Sequence, residues 1–290
     1  LFTENGENEK NDVSEATDRI RKSNFGLHYS HSFLMAVYTT EITSAHISSD
    51  NPLHQRLLKA YHVAVPYITG DLLELGCGEG RGVQLLAPMA SSYLALDKIA
   101  EVINRLATQY PDFQFKQAVF PPIDLADAQF DTIVSFQVIE HIQQDELFLK
   151  EIARLLKPGG KALISTPNIK MTLSRNPWHI REYTADQLAE ICEKYFSKVE
   201  MMGIAGSEKV MDYHERNRAS VQRIMKWDVL DLQHRLPGWM LRMPYEILNR
   251  RNRNKLQSGN NALVDSISQE DYMLRTKHDE NLDLFCVLTK

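Results

Sequence analysis

Apolar residues in this chain fall into short runs separated by helical stripes, and the two alternate from Asp71 onward. Leu72, Leu73 and Leu75 make a short strand, and YLALD (93–97), FDTIVSF (130–136) and the end of RLLKPGGKALISTPN (154–168) make others. Between them the apolar period becomes helical. Ile99, Val102, Ile103, Leu106 and Tyr110 share one face, as do Phe148, Ile152, Leu155 and Leu156 before a Pro-Gly-Gly turn. Upstream, Leu57, Leu58, Tyr61 and Val65 stand at helical spacing, and Pro66 to Gly70 ends that helix before Asp71. Thr184 and Gln187 form a T-x-x-Q capping box, opening a helix with Leu188, Ile191, Cys192 and Tyr195 inward. SKVEMMGIAG (197–206) reads as a sixth strand and NLDLFCVLTK (281–290) as a seventh.

About 75 residues separate those last two strands, too many for a hairpin loop. Val221, Ile224, Met225, Leu232 and Leu236 predict one helix there, and Trp239 through Leu248 a second. The chain therefore divides into a tail (1–18), a core with N-terminal helices (19–206), a helical cap over the substrate side (207–280) and a final core strand (281–290). Alternation of this kind builds an α/β doubly wound sheet that binds ligands at the carboxyl ends of its strands.

The chemistry starts in DLLELGCGEGRG (71–82), where the first strand carries Glu74 into glycines at 76, 78, 80 and 82. Glycine lets backbone approach a nucleotide-like ligand, because a Cβ would stand in the way and tight turns often need positive φ. The spacing is not that of a dinucleotide fingerprint. Counted from Gly76 the third glycine falls on Arg81, and counted from Gly78 it falls on Val83. E-x-G-x-G-x-G instead resembles motif I of the class I S-adenosylmethionine (SAM) dependent methyltransferases. YLALDKI, FDTIVSFQVIEHI and RLLKPGGKALISTPN follow in order and resemble the later motifs, above all those of the ubiquinone-type and small-molecule O-methyltransferase branch. The resemblance covers roughly residues 50–206 and the last strand.

That resemblance implies a Rossmann-like, seven-stranded sheet with its last strand antiparallel, and SAM as cofactor. It also assigns positions. Glu74 and the loop Gly76, Cys77, Gly78 and Gly80 would meet the methionine end of SAM, and Asp97 the ribose hydroxyls. Lys98 and Ile99 would flank the adenine, Ala118 and Val119 would meet its edge, and Phe136 and Gln137 would close the pocket. Many relatives carry an acid near residue 118, whereas this chain reads KQAVFPP there.

Composition adds limits. No window approaches 18 consecutive apolar residues and no signal-peptide pattern opens the chain, so a cytoplasmic protein is expected, although Leu1 is not a natural start. Cys77, Cys192 and Cys286 lack zinc spacing and read as reduced thiols, Cys77 as a small filler of the glycine loop. The formal charge of −5 resides in residues 1–18, with six acids against Lys10, a composition that reads as disordered. Residues 207–256 carry eleven Lys/Arg against six acids. A solvated basic face, an anionic or lipid-tethered acceptor and peripheral membrane contact through 236–251 are the readings of that excess. Nucleic acid is not expected, because no RNA-binding module or aromatic platform accompanies the charge.

For methyl transfer to a hydroxyl, His141 and His179 are the candidate bases, the second within NPWHIREYT (176–184). Tyr29, His28 and His31 could form a lid. Ubiquinone-type O-methyltransferases resemble this region but carry an acid three residues before the Glu-His pair, where a divalent ion could bind; Gln137 stands there instead, and Glu140 with His141 alone is a poor site, so no metal is expected. The expected reaction is methylation of a small-molecule, sugar or lipid-linked acceptor at oxygen. Methylation of protein or RNA, and a non-catalytic SAM-binding scaffold, are the alternatives.

Overall fold

The computed structural model describes residues 47–228, 231–259 and 261–290. The acidic tail, the first part of the N-terminal helices and the proposed lid residues His28, Tyr29 and His31 lie outside them.

Pro52 sits in the first turn of helix α1 (Asn51–Ala64), where its missing N–H costs nothing. The helix ends at Val65 and Pro66, and strand β1 (Asp71–Leu75) follows with four of its five residues buried. Such a run belongs to a strand covered on both faces. After the short α2 (Val83–Leu86) come β2 (Ser92–Asp97), α3 (Ala100–Gln109), β3 (Gln114–Gln117), β4 (Phe130–Phe136), α4 (Asp145–Leu155) and β5 (Leu156–Pro167). The expected apolar stripes are the buried faces: Val102, Ile103 and Leu106 of α3, and Phe148, Leu149, Ile152 and Leu155 of α4. Helix α5 (Ala185–Glu193) opens on the capping box, with the Thr184 hydroxyl accepting from the Gln187 N–H and the Gln187 side chain accepting from the Thr184 N–H.

The sheet has strand order β3-β2-β1-β4-β5-β8-β6-β7, with β6 (Lys198–Gly206), β7 (Tyr272–Thr276) and β8 (Asp283–Thr289). Strands β1 to β5 are parallel, β8 runs antiparallel between β5 and β6, and β7 pairs antiparallel with β6 at the edge. The fold is the Rossmann-like α/β sheet expected, with eight strands rather than seven. The extra strand lies in the segment read as wholly helical; YMLRT carries one buried residue, Tyr272, so period 2 is barely visible. A second correction concerns Pro-Gly-Gly. Phe130 pairs with Leu156 and Thr132 with Lys161, so this segment is a bulge inside a long β5 and not a turn before it.

The cap also differs from the reading. Helix α6 (Glu208–Met225) stops before Leu232, and Asp231, in left-handed backbone at φ 53°, precedes the short α7 (Leu232–Arg235). Val221 to Leu236 is thus two helices with a break. Helix α8 (Gly238–Gly259) is longer than the Trp239–Leu248 stripe, because its second half is polar and charged, and α9 (Asn261–Ser266) follows. Arg250 and Arg253 of α8 both clasp the buried Asp50 at the start of α1, each at 2.9 Å. Arg242 lies over the Trp178 ring, 4.0 Å from its centroid, and Lys209, Arg216 and Arg218 pair with Asp271, Asp212 and Glu215. Much of the basic excess is therefore engaged within the molecule.

Candidate active site

The chain steps outward from β1 to β2 and β3, then returns to β4 beside β1. This reversal opens a crevice at the carboxyl ends of β1 and β4, where doubly wound sheets bind ligands. Gly76 leaves β1 at φ +78°, and a Cβ there would fall 2.4 Å from Val138 Cγ2 across the crevice. Gly78, at φ +49°, has nothing within 4 Å of an added Cβ, which would project into open space. Asp97 ties this loop to β2: one carboxylate oxygen accepts from the Gly78 N–H at 2.8 Å, the other from the Ile99 N–H at 3.0 Å. Only 7% exposed, this acid is set by the fold at the cleft wall.

A cleft of about 260 Å³ results, lined by Gly76, Cys77, Gly78, Asp97, Lys98, Ile99, Ala118, Val119, Phe136 and Gln137. All were expected from the sequence. Leu57, Tyr61 and Arg81 join them, residues that periodicity marked only as helix or loop. Two expected residues are placed elsewhere. Gly80 faces α3, where a Cβ would strike Leu106 Cδ2 at 2.4 Å. Glu74 lies beneath the loop, 1% exposed, accepting hydrogen bonds from the Tyr61 hydroxyl at 2.8 Å and from the Tyr93 hydroxyl. Burial pushes its carboxyl up to about 7, against the two tyrosine hydrogen bonds. Cys77 is buried as a filler would be, and burial together with the charges of Glu74 and Asp97 drives its thiol far above the ordinary range.

A second cavity of about 260 Å³ adjoins the cleft, and Leu57, Gln137 and His141 line both. Gln137 stands at the end of β4 with φ 57°, a left-handed conformation that a non-glycine residue adopts at a cost of about 1–3 kcal/mol and that clusters at functional sites. His141 Nδ1 lies 2.9 Å from the Trp178 carbonyl, which can only accept, so Nδ1 carries a proton and, in the neutral ring, the lone pair belongs to Nε2. Its ring meets that of His179 edge-on, centroids 4.9 Å apart. His179 Nδ1 donates to Glu182 at 2.6 Å, and the Asn176 amide donates to its Nε2 at 2.8 Å. Burial opposes ionisation of Glu182, yet hydrogen bonds from His179 and Thr172 hold its carboxyl below the usual range.

The loop carrying His179 is tied down by Ile180 N–H, which donates to the Glu140 carbonyl at 2.7 Å. Glu140 itself is buried; burial raises its carboxyl to about 7, opposed by His179 and by the Thr166 hydroxyl at 2.9 Å. The view of Glu140 and His141 as an isolated pair is therefore corrected: His179 joins them, with potential ligand atoms within 4.8 Å of one another. Glu182 was missed; its only sequence signal was its i+3 spacing from His179.

Residues 73–164 match the family model described as a methyltransferase domain. A probable S-adenosylmethionine-dependent methyltransferase of Mycobacterium tuberculosis is 34% identical over 191 residues, covering 63% of this chain and 69% of that protein. The chain belongs to the SAM-dependent methyltransferases. A more distant member, the mitochondrial ubiquinone biosynthesis O-methyltransferase of Mus musculus, is 28% identical over 184 residues, 59% of this chain and 48% of its own length. Among solved structures, a SAM-dependent methyltransferase of Thermotoga maritima, titled a possible histamine N-methyltransferase, shares the fold at 14% identity, with TM-score 0.53 over 84% of this chain and 91% of that one. SAM is the cofactor of this methyltransferase, and the open position at Gly78 with the amide-braced Asp97 suits a ligand of that kind. No helix among the described residues is long and apolar enough to cross a membrane.

Proposed function

We propose that this methyltransferase moves the SAM methyl group to a hydroxyl oxygen of a small-molecule, sugar or lipid-linked acceptor. The observation that carries the reading is the cavity, lined about equally by polar and apolar groups, that shares Leu57, Gln137 and His141 with the cofactor cleft and contains Glu140, His179 and Glu182. The relative named for O-methylation in ubiquinone biosynthesis supports oxygen as the target.

When bound, SAM supplies a methyl on a sulfonium, already electrophilic, so no covalent enzyme intermediate is required. Asp97 would hold the ribose, with Lys98, Ile99, Ala118 and Val119 around the adenine and Phe136 and Gln137 beside the methionine. Glu74 would act on the loop through Tyr61, a wall residue, rather than by touching the cofactor. His141 Nε2 would take the proton of the acceptor hydroxyl as the methyl is transferred to its oxygen. Such general-base assistance is commonly worth 10²–10⁴ in rate. His179, with both ring nitrogens hydrogen-bonded, positions His141 and is not itself the base.

Glu140, His141 and His179 fit a hard divalent cation poorly: Gln137 replaces the usual acid, and His179 has no uncommitted nitrogen. We therefore propose catalysis without a required metal. Peripheral contact with a lipid surface through 236–251 is supported by exposed Trp239, Met240, Met243 and Ile247 on α8. The test is incubation of the protein with methyl-labelled SAM and a cell extract. Label in metabolite, lipid or glycan pools supports the reading, label in protein or RNA overturns it, and SAM binding without transfer to any pool favours a scaffold.

A further inference from the structure

The cavity beside the cofactor cleft does not end at the histidines. His214, 8% exposed, lines it, and its buried Nε2 has no hydrogen-bond partner among the described residues; the same holds for Asn249 Nδ2. A buried polar atom without a partner costs about 1–3 kcal/mol, a cost that a hydrogen bond with a molecule packed against it would remove. Of the arginines in the wall, Arg253 is hydrogen-bonded to Asp50 at 2.9 Å, and Arg56 faces Asp283 as an ion pair at 3.2 Å without a hydrogen bond between them. Burial, Arg56 and Arg218 depress His214 to about 4, which keeps it neutral. The walls therefore offer hydrogen bonds, and their charged groups already have partners within the protein, Glu182 in His179 and Thr172.

Ser174, Val221, Tyr245 and Asn249 are shared with a third cavity, about 750 Å³, between α6, α7 and α8. Its lining is mainly apolar, including Ile224, Met225, Leu236, Leu241 and Leu248. Asn249 stands where the more polar chamber meets the apolar one.

Building on the acceptor site proposed above, we infer that the acceptor is an amphiphile: an uncharged, hydroxyl-rich head in the more polar chamber and a hydrocarbon chain in the apolar one. Four shared wall residues set the two chambers side by side, which favours one flexible molecule reaching into both, its hydroxyl near His141, over a partner protein. A charged head would disturb ion pairs that already balance.

The probes are alkyl β-glucosides and 1-O-alkyl glycerols of six to twelve carbons, used below their micelle concentrations with the full-length protein. Binding is read from the fluorescence of Trp227, which lines the apolar cavity. Affinity is expected to rise about fourfold per methylene until the chamber is filled. Ile224→Glu and Leu241→Glu, at half-exposed positions, should abolish that slope and leave SAM affinity unchanged. His214→Ala and Asn249→Ala should weaken all chain lengths equally. Saturable binding without chain-length dependence, a slope that survives both glutamates, or tighter binding of alkyl phosphates of equal length would overturn the inference. Amphiphile binding as described, with label from SAM found only in protein or RNA, would sink the oxygen-acceptor reading and leave the cavity assignment standing.

Discussion

Asp97 shows how a residue's role is carried by its partners. Its carboxylate braces the Gly78 and Ile99 amides, and hydrogen bonds to charged groups are worth roughly 1.5–3 kcal/mol each. Asp97→Ala is therefore expected to weaken SAM binding at least about tenfold, measured by calorimetry; unchanged affinity would refute its assignment. His141→Ala should leave that affinity intact and lower kcat by about 10²–10⁴, whereas His179→Ala should cost less, since it acts through its neighbour. Equal losses would contradict the division of labour. Glu74 carries a pH signature. Its folded-state value near 7 exceeds the ordinary 4.5, so the folded protein binds the extra proton and loses stability as pH rises through that window. Glu74→Gln should melt like the parent near about pH 4.5 and more stably above about pH 7, by roughly 3 kcal/mol. Glu140 contributes the same slope to both proteins, so the difference isolates Glu74. These residues differed in legibility. The glycines and Asp97 announced themselves by spacing, whereas the burial of Glu74 depends on Tyr61 and Tyr93, which come from other elements.

At the scale of elements, periodicity worked where one face is buried and failed where burial is sparse. Helices α3 and α4 matched their stripes to within a residue or two because the core below them is continuous. Strand β7 escaped because four of its five residues are not buried. The break after α6 escaped because the apolar residues around it line a cavity, and a cavity imposes no single period. The capping box was legible because it is local, both partners lying within four residues. Thr184→Ala should cost about 1 kcal/mol of stability, seen as a lowered denaturant midpoint with an unchanged slope.

For the whole molecule, the sheet order and its crevice followed from alternation, but the three joined chambers did not. They depend on how 207–280 packs against the 168–184 loop, through contacts far apart in sequence such as Arg175 with the Leu236 carbonyl at 3.2 Å. The exposed apolar face of α8 remains a property of the molecule's surface, with Trp239 at 71% exposure and Met243 at 68%. Dialysis against a chelator should leave the initial rate within about twofold, less than the tenfold that loss of even a supporting metal contact brings; a larger fall restored by a divalent ion would reinstate Glu140, His141 and His179 as ligands.

The clasp on Asp50 has a kinetic meaning. Helix α1 is held at its first turn by two arginines of the cap, and further along Tyr61 grips the acid beneath the glycine loop. Any movement of the cap around an acceptor would thus pull on the element that shapes the cofactor cleft. The two substrates should bind in a preferred order, SAM first, and each should tighten the other by the same factor, as linkage requires. Asp50→Asn, which loosens the clasp, should move the initial-rate pattern toward random addition.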